Sequence, residues 1–285
     1  MKKISLLSLL FFVFNMATAQ QEISTAYATQ ATNMFAPLDK NRIPHKVLLD
    51  YGFEYTNLKA YNGTLSDSTV VDVPTLKHIY NTIFSSRVTS ATTGFINPNN
   101  FDSNWKNRTA GTITVSGLYY KYNAFINDAI NLGKVNFVNN QFQDKFVSGV
   151  WQNPYQEFQA FAMAPAISKY EGLSFTVKIP STIFYSNYQS LVQSIQIDFG
   201  NGAGYVTVPF NQNVTISYAT EGVKTWKYKL NLTNGTSLLS QSKIDVTQGV
   251  TTIPWGTSIA STSNLSASSV ASSTIYSHNI TATKN

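Results

Sequence analysis

The chain carries few residues of the kinds that perform catalysis. It has three histidines, His45, His78 and His278, and no cysteine. A hydroxyl nucleophile needs an activating base and often sits in a Gly-x-Ser-x-Gly turn, and this motif does not occur in the sequence. No two histidines stand at the i, i+4 spacing of helical zinc ligands. We therefore expect no enzyme activity, no catalytic residue and no cofactor.

Acidic residues and a glycine-rich turn could support two other kinds of chemistry. Asp50 and Glu54 are close in sequence, as the two acids of a glycosidase could be, but their surroundings favour ordinary solvated or capping acids. Asp198 and Asn201 lie at the turn that contains residues 200–204, and their oxygens make them weak calcium candidates. Because only one of the two is a carboxylate, we expect a hairpin turn there and no metal site.

Aromatic residues are the unusual part of the composition, with 16 Tyr, 18 Phe and 4 Trp. Most are expected in strands and core. Trp105, Trp151 and Trp255 lie in polar or proline-containing stretches, where an exposed indole can stack on a sugar ring, and they are the ligand-binding candidates. The expected partner is an extracellular glycan or a cell-surface protein. The basic residues are scattered despite a net charge of +6, so we expect no nucleic-acid partner.

Residues 1–19 have the three parts of an export signal. Lys2 and Lys3 form the charged start, residues 4–14 are an apolar run, and residues 17–19 are small. We predict cleavage after Ala19 and a secreted or cell-surface protein. The apolar run is too short to cross a bilayer as a helix, so no membrane span is expected in the mature chain. Without cysteine, the exported protein must be held together by packing.

Residues 20–165 mix helical and strand patterns and predict an α+β N-terminal domain. Apolar residues at helical spacing predict two helices, the first with Asp72 and Pro74 as start signals and the second ending at Gly133. The predicted elements are the helices Val73–Val88 and Lys121–Leu132, the strands Thr112–Tyr119 and Lys134–Val138, and a surface loop, Thr89–Thr109.

Residues 170–247 change to strand patterns and predict a β-sandwich. Ser194–Phe199 alternates between apolar and polar residues, and Leu173–Ile179 opens the all-β part. Asn201-Gly202 and Asn234-Gly235 are strong hairpin signals, for which we expect type I′ turns. Residues 248–285 are rich in Ser and Thr and are predicted to be a linker or the start of a further β-domain.

The order of motifs in this second part resembles the PKD family of Ig-like extracellular domains. The matching stretches are Asp198–Gly202, Tyr218–Gly222 and Lys224–Gly235. Ile197 stands where the family usually has Trp, and Asn201 replaces its second Asp. The resemblance implies an Ig-like fold, and the second change weakens any metal role.

The N-terminal part is similar to the corresponding regions of large proteins exported by type IX secretion. Ile43–Asp50, Asn62–Asp67 and Gly117–Asn123 carry the similarity. In those proteins such a region and a PKD-like domain precede further domains, sometimes an α/β-hydrolase-like one, and a C-terminal sorting domain.

The sequence thus predicts an α+β chain, with a mixed N-terminal region followed by an Ig-like (PKD-like) antiparallel β-sandwich. Three functions stay open. The first is a noncatalytic surface module that binds or presents glycan or protein ligands. The second is the accessory N-terminal part of a secreted α/β-hydrolase-type enzyme, and the third is a structural spacer.

Overall fold

A computed structural model describes residues 29–104 and 109–248 of the chain. Helix α1 spans Val73–Ser85, helix α2 spans Pro98–Asn104, and residues 29–34 are also helical. Five 3-10 turns lie at Lys40–Arg42, Leu49–Tyr51, Leu58–Tyr61, Ser181–Ile183 and Gln189–Leu191. The strands are β1 (Thr112–Phe125), β2 (Val135–Val138), β3 (Gln141–Asp144), β4 (Phe146–Val147), β5 (Val150–Trp151), β6 (Tyr155–Pro165), β7 (Lys169–Glu171), β8 (Ser174–Lys178), β9 (Phe184–Ser186), β10 (Val192–Asp198), β11 (Tyr205–Thr207), β12 (Asn213–Ser217), β13 (Gly222–Leu232) and β14 (Ser237–Thr247).

The first large sheet is built around the long strand β1. Its order is β12-β8-β1-β6, and β9 also pairs with β1. Strand β6 runs antiparallel to β1 from Val115, opposite Pro165, to Phe125, opposite Tyr155. Strands β8 and β9 pair with successive parts of β1 in parallel. One strand therefore joins the N-terminal chain to the strands that follow residue 173.

The second large sheet has the order β11-β10-β13-β14-β7. All of its pairs are antiparallel except β14 with β7. Two separate hairpins, β2–β3 and β4–β5, complete the strands of the described part.

The two large sheets bury one continuous hydrophobic cluster between them. Alternate residues point into it, as the strand period of two requires. The first sheet contributes Val115, Tyr119, Phe161, Met163, Phe175 and Val177, and the second contributes Ile195, Ile197, Trp226, Tyr228, Leu230 and Ile244. The amide of Met163 also donates to Ser240 Oγ at 3.2 Å, which links β6 to β14 directly. This arrangement is compatible with a β-sandwich.

Helix α1 covers the other face of the first sheet. Asp72 Oδ1 accepts from the Thr75 amide at 2.8 Å, and Pro74 follows in the first turn, so the predicted start is confirmed. The helix ends at Ser85, three residues earlier than predicted. On β6, alanines at alternate positions leave room for the helix, while the residues between them enter the sandwich core. These alanines are Ala160, Ala162 and Ala164.

The predicted helix Lys121–Leu132 is wrong. Lys121 to Phe125 form the end of strand β1, and residues 127–133 are turns. Both faces of β1 are buried, so its apolar residues do not alternate with polar ones, and their spacing also fits a helix. The predicted loop Thr89–Thr109 contains helix α2, whose Phe101 stacks on Tyr80 with ring centroids 4.2 Å apart.

Both predicted hairpins are confirmed, but neither turn is type I′, because neither Asn201 nor Asn234 has a positive φ. The strands β10–β11 and β13–β14 are antiparallel neighbours. In the turn of the second hairpin only Gly235 has a positive φ, +84°, and its amide donates to Leu232 O at 3.0 Å. The loop therefore has three residues and ends in a left-handed glycine, which is the second common hairpin geometry.

The first large sheet combines strands up to residue 165 with strands that follow residue 170. In it, β1 lies between β6 on one side and the later strands β8 and β9 on the other, and in the second sheet β7 lies beside β14. The pairings within residues 174–247 are antiparallel, as expected, but β1 and β7 add parallel pairs to them. Residues 1–19, and all but the first residue of 248–285, lie outside the described part, and so do the predictions made for them.

A buried chain of hydrogen bonds offers a test of the sandwich core. Trp226 Nε1 donates to Tyr218 Oη at 2.7 Å, and that hydroxyl donates to Phe199 O at 2.8 Å. We expect Tyr218→Phe to lower the free energy of unfolding by about 1–3 kcal/mol, because a buried N–H and a buried C=O lose their partners. Urea unfolding measures this. The control is Tyr205→Phe at an exposed tyrosine, and equal effects of both variants would contradict the prediction.

A truncated chain tests how far the two halves depend on each other. We expect residues 173–248 alone not to unfold cooperatively, because strand β8 loses its neighbour β1 and the core loses Phe161 and Met163. Residues 29–248 should unfold in one cooperative transition. Circular dichroism during urea titration distinguishes them, and a cooperative transition in the shorter chain would show an independent domain after residue 170.

Candidate functional site

Of the three candidate tryptophans, Trp151 lies within the described residues, whereas Trp105 and Trp255 lie outside them. Trp151 ends strand β5 and is half-buried. Its Nε1 donates to Asp144 Oδ1 at 2.9 Å, and the Arg42 guanidinium lies 5.3 Å from its ring centroid. The indole is thus fixed in place and already shares one face with a cation.

The weak calcium candidates lie in the turn between β10 and β11. Asp198 Oδ1 accepts from the Gly200 amide at 2.9 Å, and Asn201 Oδ1 accepts from the Ala203 amide at 3.2 Å. These bonds are those of Asx turns, in which the side chain stabilises the bend. Across residues 29–104 and 109–248, no group of three or more His, Asp and Glu side chains is placed to hold a metal ion.

The most exposed apolar part of the structure is the segment that carries the two small hairpins. Of eleven exposed large hydrophobic side chains among the described residues, seven lie between Ile130 and Val150. We call these seven the hairpin surface: Ile130, Leu132, Phe137, Val138, Phe146, Val147 and Val150. Exposure reaches 64% at Val150. Trp151, the sequence candidate, adjoins this surface.

A separate hydrophobic cluster packs against the two hairpins β2–β3 and β4–β5. The N-terminal segment contributes much of it, and Phe35 packs on Phe142 of β3 with ring centroids 4.9 Å apart. Asp144 joins the parts, since its carboxylate accepts from Trp151 and from the Asp39 amide at 2.7 Å. The cluster consists of Phe35, Leu38, Ile43, Leu48, Val88, Ala129, Val135 and Tyr155. The shape of the hairpin surface therefore depends on residues before residue 50.

A cluster of polar side chains lies near the C-terminal end of β1. His45 Nδ1 is 2.8 Å from Tyr188 Oη, and His45 Nε2 is 2.8 Å from Glu157 Oε2. Lys121 Nζ donates to the other carboxylate oxygen of Glu157 at 2.7 Å. We call these four residues the His45 relay. The His45 side chain is 6% exposed, whereas that of Glu157 is 52% exposed.

The partners of His45 determine where its hydrogen lies. An ionised carboxylate can only accept, so Nε2 of the neutral ring carries the hydrogen and donates to Glu157. Nδ1 then accepts from the hydroxyl of Tyr188. An acid, an imidazole and a hydroxyl in this order hold the ring in one tautomer and one orientation.

Burial and charge act against each other in the relay. Burial lowers the pKa of His45, and the hydrogen bond and charge of Glu157 only partly offset it. Burial also tends to raise the pKa of Glu157, but the bonds from Lys121 and His45 outweigh it and hold that pKa below its ordinary value. Burial, with Glu157 and Tyr188 nearby, raises the pKa of Tyr119 to about 12, and the Tyr119 hydroxyl has no hydrogen-bond partner.

Sequence reasoning did not find the relay. Tyr188 and Glu157 lie 143 and 112 positions from His45. The signal that could have pointed to it is weak: Glu157 is the one acid in strand β6, and the apolar Val47–Leu49 lie shortly after His45. The hairpin surface was also missed, although the apolar residues of 146–151 surround a Ser-Gly turn.

No helix among the described residues has the length and apolar character needed to cross a bilayer. Comparison of the chain with models of known protein families and with curated proteins finds no match.

The lowered pKa of His45 predicts how stability depends on pH. The unfolded chain takes up this proton near the ordinary value of 6.5, before the folded chain does. Stability from this group is therefore complete above that pH and is lost progressively as the pH falls below it. We expect the free energy of unfolding to decrease between about pH 7.5 and about pH 5.5, a range above the ordinary pKa of Glu157.

Urea titrations at the two pH values measure this decrease. We expect a smaller pH dependence in His45→Gln, while His78→Gln, at an exposed position, should behave like the unchanged protein. The same slope in His45→Gln and in the unchanged protein would assign the effect to another group.

Proposed function

We propose that the protein is a noncatalytic extracellular module that binds a protein ligand through the hairpin surface. The observation that carries this proposal is the concentration of exposed apolar side chains between Ile130 and Val150. Apolar residues scattered singly over a surface need no explanation, but a group of them within one segment favours an interaction site. Packing beneath the hairpins gives the ligand a preformed surface.

The chemistry of this surface favours a protein over a glycan. Five of its seven side chains are aliphatic, and only Phe137 and Phe146 are aromatic. Sugar rings are held by flat aromatic faces together with hydrogen-bonding groups, and Trp151 has its indole N–H bound to Asp144. Aliphatic and aromatic side chains together suit the apolar centre of a protein interface.

A glycan ligand is the second candidate, because one other pair of exposed aromatics exists among the described residues. Phe53 and Tyr55 are 47% and 50% exposed, and their ring centroids are 4.9 Å apart. Glu54 lies between them in sequence and could accept hydrogen bonds from sugar hydroxyls.

The extracellular location rests on the export signal of residues 1–19, with cleavage after Ala19. For the finer fold we propose that the strands of residues 170–247 have a PKD-like, Ig-like arrangement, in a sandwich that also includes β1 and β6. It is supported by the antiparallel hairpins and by Tyr218, which binds both Phe199 and Trp226 inside the core. The type IX context is part of the same proposal.

We assign the His45 relay a structural role, which agrees with a noncatalytic module. Its imidazole is 6% exposed and both ring nitrogens are engaged, so it ties three segments of the chain together. An accessory role beside a hydrolase domain and a spacer role remain the alternatives from the sequence.

Binding to intact cells of the source organism tests the proposal. Labelled mature protein should bind their surface, and the double variant Val147→Asp/Val150→Asp should bind about tenfold or more weakly, because charge replaces apolar contact. The matched control is Val223→Asp, since Val223 on β13 is also 64% exposed and lies outside the hairpin surface. We expect this control to bind normally.

Treatment of the cells identifies the class of ligand. Protease treatment should remove the binding, whereas periodate, which oxidises sugar diols, should leave it intact. The reverse result, with loss of binding in Phe53→Ala/Tyr55→Ala, would favour the glycan candidate. Absence of any binding would favour the spacer.

A further inference from the structure

The segment Ile43–Leu48 lies between the relay and the cluster beneath the hairpins. His45 is its polar anchor, while Ile43 and Leu48 belong to the hydrophobic cluster that also contains Val135 of β2. The backbone is held as well: the Leu48 amide donates to Ser86 O at 2.9 Å, and the Val88 amide donates to Lys46 O at 3.0 Å. A movement of Ile43–Leu48 would therefore change the contacts of both the His45 relay and the cluster that packs against the hairpins.

The segment Ile43–Leu48 also contains a residue with a strained backbone conformation. Lys46 has φ +56°, in the left-handed region that side chains with a Cβ seldom adopt. Its Nζ donates to Lys40 O at 3.1 Å and to Asn41 O at 2.8 Å, which helps to hold the bend. The neighbouring His45 amide donates to Asn123 Oδ1 at 3.2 Å. Surrounding bonds, including those of His45, keep the strained residue in place.

Acidification acts on one specific bond of the relay. Nε2 already carries a hydrogen toward Glu157, so an added proton must bind Nδ1, the atom that accepts from the Tyr188 hydroxyl. The Tyr188 hydrogen must then turn away from the ring. The nearby Tyr119 hydroxyl is buried and without a hydrogen-bond partner. Protonation thus reverses this hydrogen bond, with Nδ1–H donating to Tyr188 Oη, leaves the Tyr188 hydrogen without its acceptor, and charges a buried ring.

The charged groups that act on the imidazole come from two strands. Glu157 on β6 attracts a protonated ring, and Lys121 on β1 repels it. The Tyr188 and Tyr119 hydroxyls are the other titratable groups on this side, and Lys46 of the segment itself directs its amino group to backbone carbonyls.

We propose that the His45 relay is an acid-sensitive latch, in which proton uptake at Nδ1 reverses the Tyr188 hydrogen bond, places a charge on a buried ring and loosens Ile43–Leu48 together with the hairpins. The latch itself does not depend on the proposed function. Its biological consequence, release of the ligand from the hairpin surface at acid pH, rests on that function.

Hydrogen exchange of the full mature chain, read by mass spectrometry, tests the latch without any ligand. Rates are corrected for the chemical exchange rate at each pH. Between about pH 7 and about pH 5, we expect protection of residues 43–48 and 135–151 to fall about tenfold, while the β13–β14 hairpin keeps its protection. His78→Gln is the control and should repeat this result.

Two variants separate the latch from a general effect of acid. His45→Gln takes up no proton, so the pH dependence in residues 43–48 and 135–151 should disappear. Tyr188→Phe leaves the buried Nδ1 of His45 without a hydrogen-bond partner and should show the loosened segments already at about pH 7. Unchanged pH dependence in His45→Gln, or full protection in Tyr188→Phe at both pH values, would overturn the proposal. So would a loss of protection spread evenly over the chain.

Because exchange is measured without ligand, failure of the latch and failure of the proposed function are distinguishable. A pH-dependent loosening with no cell binding would keep the latch and remove the ligand. Cell binding that depends on Val147 and Val150 without local loosening would do the opposite.

Discussion

The burial of strand β1 on both faces is the constraint on which the rest of this structure depends. One face packs into the core between the two large sheets, where Tyr119 lies, and the other contacts helix α1 through Tyr120. Along its length β1 also pairs with β6, β8 and β9. Removing such a strand would expose two hydrophobic surfaces at once, which is why the N-terminal chain and the later strands form a common structure.

The N-terminal segment turns this sandwich into a support for the hairpins. Phe35 and Ile43 pack beneath β2 and β3, and Asp144 fixes Trp151 and the Asp39 backbone with the same carboxylate. One side of the hairpins is therefore buried against this segment, while the apolar side chains of the hairpin surface are exposed to solvent. His45 of the relay lies on the same N-terminal segment, so the relay and the packing against the hairpins share one stretch of chain.

The candidate site was predictable only in part. Trp151 drew attention because it lies in a polar, proline-containing stretch, yet the structure makes it a fixed neighbour of the exposed aliphatic residues. His45 gave no signal beyond its type. Its role comes from Glu157 and Tyr188, which only the pairing of β1 with β6 and β9 brings to it.

The sequence by itself determined what depends on neighbouring residues: the capped start of α1 at Asp72, the alternation of β10, and the hairpin at Asn234-Gly235. These signals act within a few residues, so local chemistry is enough to define them. Only the tertiary structure decided that Lys121 belongs to a strand, that parallel pairs join the two halves, and that His45 meets its partners. Those outcomes depend on burial from both sides and on contacts far apart in the chain, which no local pattern encodes.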